Sequence, residues 1–367
     1  MSRTPKQFER LPPLTLPSPD NAEFRLETCT GRNLILVFPG APASPALEAF
    51  MTELRSVRSA FDDVLASLFY IVSSPDHVDA FAIAEEMPGI RYLMDYDRSA
   101  ARSFGLLAKT DGPVAPRIFV LDRNYRLLQM LDFVERKPYL APIVAGLRNL
   151  ESYQAAQGSI NHAPVLIMER IFEPALCRRL IDYYRLRGGH DSGFMTQRDG
   201  VTVGSIDHSF KRRQDCPIDD PILRDTAMHR VHDRLAPEIR RAFQFEATRI
   251  ERHIVACYDA GVGGYFRPHR DNTTAGTAHR RFAVTINLNA DYEGGDLRFP
   301  EFGDRLYRAP AGGAVVFSCT LLHEATAVTK GVRYAYLPFL YGAADAALRE
   351  RNKDFVEARS GGRAPVR

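Results

Sequence analysis

The sequence predicts two unlike domains in one chain, an α/β layer followed by a mainly-β sandwich or jelly roll. Three observations predict it. Up to about residue 150, short apolar runs closed by turn residues alternate with stretches of helical periodicity. From Arg249 to Leu340 the pattern changes to short strand-like runs separated by glycine turns. At 367 residues the chain also exceeds the ~100–200 residues of one domain.

Residues 1–22 are Pro-rich and read as an extended arm. NLILVFPG (33–40) is an apolar run stopped by Pro-Gly, hence a buried strand. Residues 44–65 space apolar side chains at helical intervals, with Ser44 as N-cap and Pro45 in the first turn. LFYIVSS (68–74) is a second strand and 76–87 a second helix; IRYLMDYD, RSAARSFGL and 117–131 follow as strand, helix and hairpin. A helix over 136–150 leads into a polar, Gly-containing linker at 151–163. PVLIMERIF (164–172) reads as a strand and 173–188 as a helix closed by Gly-Gly. Residues 190–217 are rich in turn formers with little periodicity, the mark of an irregular lid or binding loop. Residues 220–243 form an amphipathic helix, and the tail after Gly342 carries one charged helix and a disordered end.

Composition narrows the function. Hydrophobic residues make up 45% and charged residues 25%, enough apolar content to bury a core. The 48 basic and 45 acidic residues nearly cancel, so nothing points to nucleic acid. The KRR at Lys211 to Arg213 reads as a solvated edge. No apolar run approaches the ~20 residues of a membrane helix, and the N-terminus lacks a secretory h-region. Five dispersed cysteines (29, 177, 216, 257, 319) without a CxxC read as reduced thiols. Cytoplasmic location, with no membrane and no nucleic-acid partner, is the expectation.

The chemistry concentrates in YDAGVGGYFRPHRDN (258–272), which ends in His269-Arg270-Asp271. Residues two apart on a strand point the same way, so this imidazole and carboxylate can share a metal ion. His323, after the apolar run AVVF, is the third ligand candidate. Two histidines and one carboxylate occupy one face of an octahedral ion and leave the other open, which suits Fe(II) and oxygen. Glu324 beside it should face the other way. Ten residues on, Arg333 sits in an apolar context where an unpaired guanidinium is costly, so a buried anion is expected opposite it. A second H-x-D, His77 to Asp79, has no later His and Arg in step and reads as helix surface; His229 and His232 read as exposed.

With these pieces in order, residues 163–341 resemble the Fe(II)- and 2-oxoglutarate-dependent oxygenases of the prolyl 4-hydroxylase-like branch. Tyr258, RFAVTINLN (281–289), YEGGDLRFPEFG (292–303) and PAGGAVVF (310–317) complete the match. The resemblance implies a double-stranded β-helix (jelly roll) with flanking helices. It makes His269, Asp271 and His323 the catalytic metal ligands and gives Arg333 the C5 carboxylate of 2-oxoglutarate. Tyr258 either supports that carboxylate or is a core tyrosine; Arg281, Thr285 and Asn287 are candidates for the same pocket. Fe(II), 2-oxoglutarate and O2 are the implied cofactors, with ascorbate as an auxiliary. The implied reaction hydroxylates a prolyl or other amino-acid side chain, in a peptide, protein or free molecule, with release of succinate and CO2. Asp271 argues against the halogenating branch.

The N-terminal half resembles the peroxiredoxin-like branch of the thioredoxin fold, on the strand-PG loop, VSSPDHVDAFA, MDYDRSAARSFGL and APRIFVLDRNYRLL. It departs where that family's peroxidatic cysteine belongs: PGAPASPALEAF has none, and Cys29 lies before the strand. Arg117 matches the family's peroxide-pocket arginine with no thiolate to activate. The domain is therefore expected to serve packing, dimerisation or binding of a protein partner. The expected division is a thioredoxin-like domain over 1–155, an oxygenase domain over 156–345 and a charged tail over 346–367. A binding scaffold with an inactive oxygenase half is the alternative, and an active peroxidase the third reading.

Overall fold

The computed structural model describes residues 4–40, 45–81, 85–107, 112–156, 162–198 and 200–356. The chain divides into two compact units, Met1–Asn161 with Pro300–Gly303, and His162–Phe299 with Asp304–Arg367.

In the first unit a small ribbon, β1 (Thr15–Leu16) with β2 (Phe24–Arg25), precedes a five-stranded sheet. Its strands are β3 (Asn33–Phe38), β4 (Ala66–Val72), β5 (Ile90–Met94), β6 (Arg117–Leu121) and β7 (Leu127–Asp132). Their order is β5-β4-β3-β6-β7, with β3, β4 and β5 parallel and β6 and β7 antiparallel. Helices α1 (Pro45–Val57), α2 (Pro75–Phe81), α3 (Ser99–Ser103) and α4 (Leu140–Ala156) accompany it. This is the expected thioredoxin-like α/β arrangement. Every residue of β3 and β4 is buried, because parallel strands covered on both faces read as continuous apolar runs. Glu53 on α1 accepts the N–H groups of Tyr139, Leu140 and Ala141 at 2.8, 2.9 and 2.7 Å, capping the start of α4.

Some boundaries differ from expectation. The first helix stops at Val57, well short of 65. Asp62 Oδ1 accepts the N–H groups of Val64 and Leu65, each at 2.8 Å, and Asp63 takes φ +64, which turns the chain into β4. Ser44, the expected N-cap, and residues 82–84 of the second helix lie outside the described residues. The expected linker is helical through Ala156, and 157–161 lie outside the description, as does the tail from 357. Arg117 is ion-paired with Asp132, its register partner on β7.

The second unit contributes β8 (Leu166–Met168), α5 (Pro174–Arg187), β9 (His190–Asp191), β10 (Phe194–Arg198), β11 (Val201–Ser205), β12 (Lys211–Arg212) and β13 (Gln214–Pro217). Helices α6 (Pro221–Arg230) and α7 (Ala236–Phe243) follow, joined through a π turn at Val231–Leu235. Pro237, with no N–H to donate, sits at the start of α7. The remaining strands are β14 (Arg249–Glu251), β15 (Ile254–Asp259), β16 (Tyr265–His269), β17 (Phe282–Asn287), β18 (Glu293–Gly294), β19 (Leu297–Arg298), β20 (Leu306–Tyr307), β21 (Ala314–Ser318), β22 (His323–Ala325), β23 (Val328–Lys330), β24 (Val332–Tyr336) and β25 (Phe339–Tyr341). A last helix, α8, spans Ala343–Arg351.

The major sheet runs β14-β25-β17-β24-β15-β13-β9, with β21 and β8 attached through β17. The minor sheet runs β12-β16-β22-β19-β20. Val284, Ile286 and Tyr336 of the major sheet pack outward on α5, α6 and α7. The sheets meet across an inner cluster in which Tyr258 and Ala335 face Phe266 and Ala325. This is the expected jelly roll.

Residues 190–217 are not an irregular loop. They hold five short strands, including the hairpin β10–β11, paired in register from Phe194↔Ser205 to Arg198↔Val201. Gly200, at φ +76, supplies a left-handed position in the connection between them. Among the described residues no helix is long and apolar enough to cross a membrane. All five cysteines are free and buried.

Candidate metal centre

Strand β16 delivers His269 at its end and β22 delivers His323 at its start, and the two residues are register partners. Asp271 follows β16 by two residues; its N–H donates to Cys319 O at 3.0 Å, which folds the carboxylate back under the histidines. His269 Nε2 lies 3.6 Å from Asp271 Oδ1, and His323 Nε2 lies 3.3 Å from Asp271 Oδ2. All three ligand atoms fall within 4.8 Å of one another. The side chains of His269, Asp271 and His323 are only 13%, 12% and 6% exposed.

The donor set fits a metal. His269 Nδ1 donates to Arg267 O at 2.7 Å and His323 Nδ1 to Leu321 O at 3.0 Å. A carbonyl only accepts, so the proton sits on Nδ1 and each Nε2 presents a lone pair toward Asp271. Burial and the neighbouring His323 push His269 down to about 4, which keeps its ring neutral at neutral pH. Aromatic walls fix the rings: Phe266 stacks on His269 at 3.5 Å between centroids, and Phe317 lies 4.5 Å from His323. Arg280 braces the turn from behind, donating to Asp271 O at 3.3 Å while paired with Glu251 at 2.6 Å. Glu324 points away and is ion-paired with Arg298.

Arg333, on β24, is 2% exposed and is the register partner of Tyr258 on β15. Its guanidinium lies 5.0 Å from the Tyr258 ring centroid, and Nε and Nη2 donate to Asn287 Oδ1 at 3.3 and 3.2 Å. No carboxylate among the described residues pairs with it. Gly295, at φ +68, lets the Arg333 stem pass: a Cβ there would stand 3.1 Å from Arg333 Cδ. Thr285 is buried and shares the strand face of Asn287, since Val284 and Ile286 face the helices. Tyr258 is buried in the inner cluster and its ring lies against the Arg333 guanidinium. Arg281 does not join this group. It lies at the outer end of β17, its side chain is 45% exposed, and Nε donates to Asp345 on α8 at 2.6 Å.

The KRR segment is the clearest correction. Lys211 and Arg213 are 4% and 7% exposed, and only Arg212 faces solvent. Lys211 Nζ donates to Ser192 Oγ at 2.7 Å and Gly193 O at 2.6 Å, and lies 4.6 Å from the Phe266 ring centroid. Arg213 donates to Asp215 Oδ2 at 2.7 Å, to Ser192 Oγ at 2.9 Å and to the Tyr258 hydroxyl at 3.4 Å. Composition marks the charges but not their burial; the pairing of β12 with β16, Lys211 opposite Phe266, turns them inward. Arg252 was likewise missed. It donates twice to Leu337 O, at 3.2 and 3.0 Å, and lies 4.6 Å from the Phe339 ring centroid.

Comparison with known proteins agrees with this geometry. Residues 253–341 match the family model described as the 2OG-Fe(II) oxygenase superfamily, a segment holding His269, Asp271, His323 and Arg333. A PKHD-type hydroxylase of Acinetobacter baumannii (strain SDF) is 29% identical over 190 residues, 48% of this chain and 75% of the relative. A PKHD-type hydroxylase of Synechococcus sp. (strain JA-2-3B'a(2-13)) is 29% identical over 89 residues, 22% of this chain; the chain spans only 39% of that relative's length. Among solved structures, a Pseudomonas putida prolyl-4-hydroxylase is similar at TM-score 0.37 and 18% identity, covering 49% of this chain and 92% of that one. Peroxidoxin BcpB from Mycobacterium tuberculosis is similar at TM-score 0.34 and 20% identity, covering 40% of this chain and 98% of that one.

Proposed function

We propose that this chain is an Fe(II)- and 2-oxoglutarate-dependent hydroxylase acting on a prolyl or other amino-acid side chain, with residues 156–345 as the oxygenase domain. The observation that carries the reading is the convergence of two imidazole lone pairs and one carboxylate on a single point between two sheets. His269, Asp271 and His323 would hold Fe(II), which with 2-oxoglutarate and O2 would supply the oxidising chemistry, with succinate and CO2 as co-products. Arg333 would take the co-substrate's far carboxylate by a bidentate pair, with Asn287, Tyr258 and Thr285 fixing the guanidinium and shaping the pocket. Phe266, Phe317 and the inner cluster exclude water and hold the imidazoles in one orientation. Ascorbate would serve as an auxiliary reductant. The N-terminal unit would serve packing, dimerisation or binding of a protein partner rather than catalysis.

The test is release of CO2 from C1 of 2-oxoglutarate by full-length protein reloaded with Fe(II), with and without a panel of amino acids and prolyl peptides. Iron-dependent release that a chelator stops is the expected result. No release above the His269→Ala background across the panel would contradict the reading.

A further inference from the structure

Around the metal centre the buried charges do not balance. Arg213 is paired with Asp215, and Arg280 with Glu251. Lys211, Arg252 and Arg333 form no ion pair with any described carboxylate; their partners are a hydroxyl, backbone carbonyls and an amide. Lys211 and Arg333 are buried and Arg252 is partly buried, and hydrogen bonds to neutral groups repay only part of the cost of desolvating such a cation. Under the hydroxylase reading, on which this inference rests, Arg333 is satisfied by the co-substrate. The metal, the dicarboxylate, Asp271 and Arg333 then sum to zero charge, as do Arg213 with Asp215 and Arg280 with Glu251, and Lys211 and Arg252 remain in excess.

Lys211 stands close to the metal ligands, since its Nζ and the His269 imidazole both pack against the Phe266 ring. It uses two of its three donors on Ser192 and Gly193. Arg213 Nε, in a side chain only 4% exposed, is buried with no hydrogen-bond partner. The two residues sit on consecutive short strands, β12 and β13, or the bend between them, and Arg252 occupies the β14–β15 turn. Lys211, Arg213 and Arg252 each interact electrostatically with Asp215, and Lys211 and Arg252 also with Asp271, so they share one neighbourhood with the metal centre.

We propose that Lys211, with Arg213 and Arg252, binds an anionic oxygen group of the substrate, so that the substrate is a small acid carrying a free carboxylate or phosphate rather than an uncharged segment inside a peptide. Burial and the adjacent Arg213 push Lys211 well below the ordinary lysine range, and burial and Arg213 lower Arg252 to about 10, as expected of cations held together without their anion. The carboxylate would serve to orient the reacting carbon, which fits a binding role for these residues rather than a chemical one.

The full-length protein with Fe(II) and 2-oxoglutarate, kept anaerobic, would be titrated with acetate, with acetamide as its neutral isostere, and with inorganic phosphate at fixed ionic strength. The thermal midpoint is the readout, and the visible charge-transfer band of the complex reports that the metal and co-substrate sites are intact. Acetate or phosphate should raise the midpoint and acetamide should not. Lys211→Met should weaken the anion response by about tenfold or more while keeping the band, about the loss of one charge-assisted contact. Arg252→Met should do the same from a different turn, and the exposed Arg212→Met should respond as wild type does. A response to acetate alone identifies a carboxylic acid, and to phosphate alone a phosphorylated substrate. Equal shifts with acetamide, no shift with either anion, or an unchanged response in Lys211→Met with the band present would overturn the proposal. Absence of the band in wild type would instead remove the hydroxylase reading beneath it.

Discussion

The two units treat half-buried and buried charge in opposite ways. In the first, Asp63 accepts from Arg91 at 2.9 and 2.6 Å and from Ser67 at 2.6 Å, and Arg32 stands 3.5 Å away. Glu53 is spent on the N-terminus of α4 and Asp95 on the amides of Ala100 and Ala101. These charges are matched inside the fold. In the second unit Arg213 and Arg280 are ion-paired as well, but Lys211, Arg252 and Arg333 have only neutral hydrogen-bond partners. Charges closed on themselves hold a structure together; charges left open are poised for something that arrives. The contrast supports the proposal that ligand binding belongs to the C-terminal unit.

The sharpest way to break that contrast is Arg333→Met. Removing one partner of a buried charge pair costs about 3–5 kcal/mol, so 2-oxoglutarate affinity should fall by two to three orders of magnitude in an anaerobic titration. The apo-protein should melt no lower than wild type, because an uncompensated buried cation has been removed. Unchanged affinity would mean that Arg333 waits for nothing.

Asp63→Asn should give the reverse pattern. It leaves Arg91 and Arg32 facing a neutral amide and should destabilise the first unit by about 1–3 kcal/mol in urea denaturation, while metal binding stays as in wild type. A loss of metal affinity in this variant would blur the division of labour.

The same pair gives a pH signature. Burial opposes ionisation of Asp63, but the bonds from Arg91 and Ser67 prevail and lower it to about 2, below its unfolded value. Its contribution is therefore fully present above about pH 4 and is lost as pH falls toward 2. The stability gap between wild type and Asp63→Asn should close over that window. A gap that stays constant from pH 5 to 2 would show that the charge is not what matters.

The smallest effect expected is none. Cys29 is buried, and desolvation pushes its thiol above the ordinary range, the opposite of an activated nucleophile. Peroxide consumption should sit at background in wild type and in Cys29→Ser alike. Wild-type turnover lost in the variant would return a catalytic role to the first unit.

What the sequence made legible follows from how far apart interacting residues lie. The parallel strands of the first unit announce themselves as apolar runs, and the H-x-D motif brings two ligands together only two positions apart. His323 and Arg333 were readable because His323 follows the apolar run of β21 and Arg333 sits within that of β24. Lys211 and Arg213 were not, since their burial depends on pairing a two-residue strand with Phe266, more than 50 positions on. Arg281 was misplaced for a related reason. Alternation puts it on the face of Thr285 and Asn287, but at the end of β17 that face has run out to Asp345 on α8. The β10–β11 hairpin did carry a local signal, the Asp-Gly turn between alternating residues, which the polar composition of the segment concealed.

The central claim is that His269, Asp271 and His323 form one metal site served by Arg333. Anaerobic titration of Fe(II) into the apo-protein, with and without 2-oxoglutarate, tests it most directly when wild type and His269→Ala are run side by side. The account predicts a visible charge-transfer band in wild type that requires both Fe(II) and 2-oxoglutarate and is missing from the variant. No band in wild type, or an equal band in His269→Ala, would contradict it.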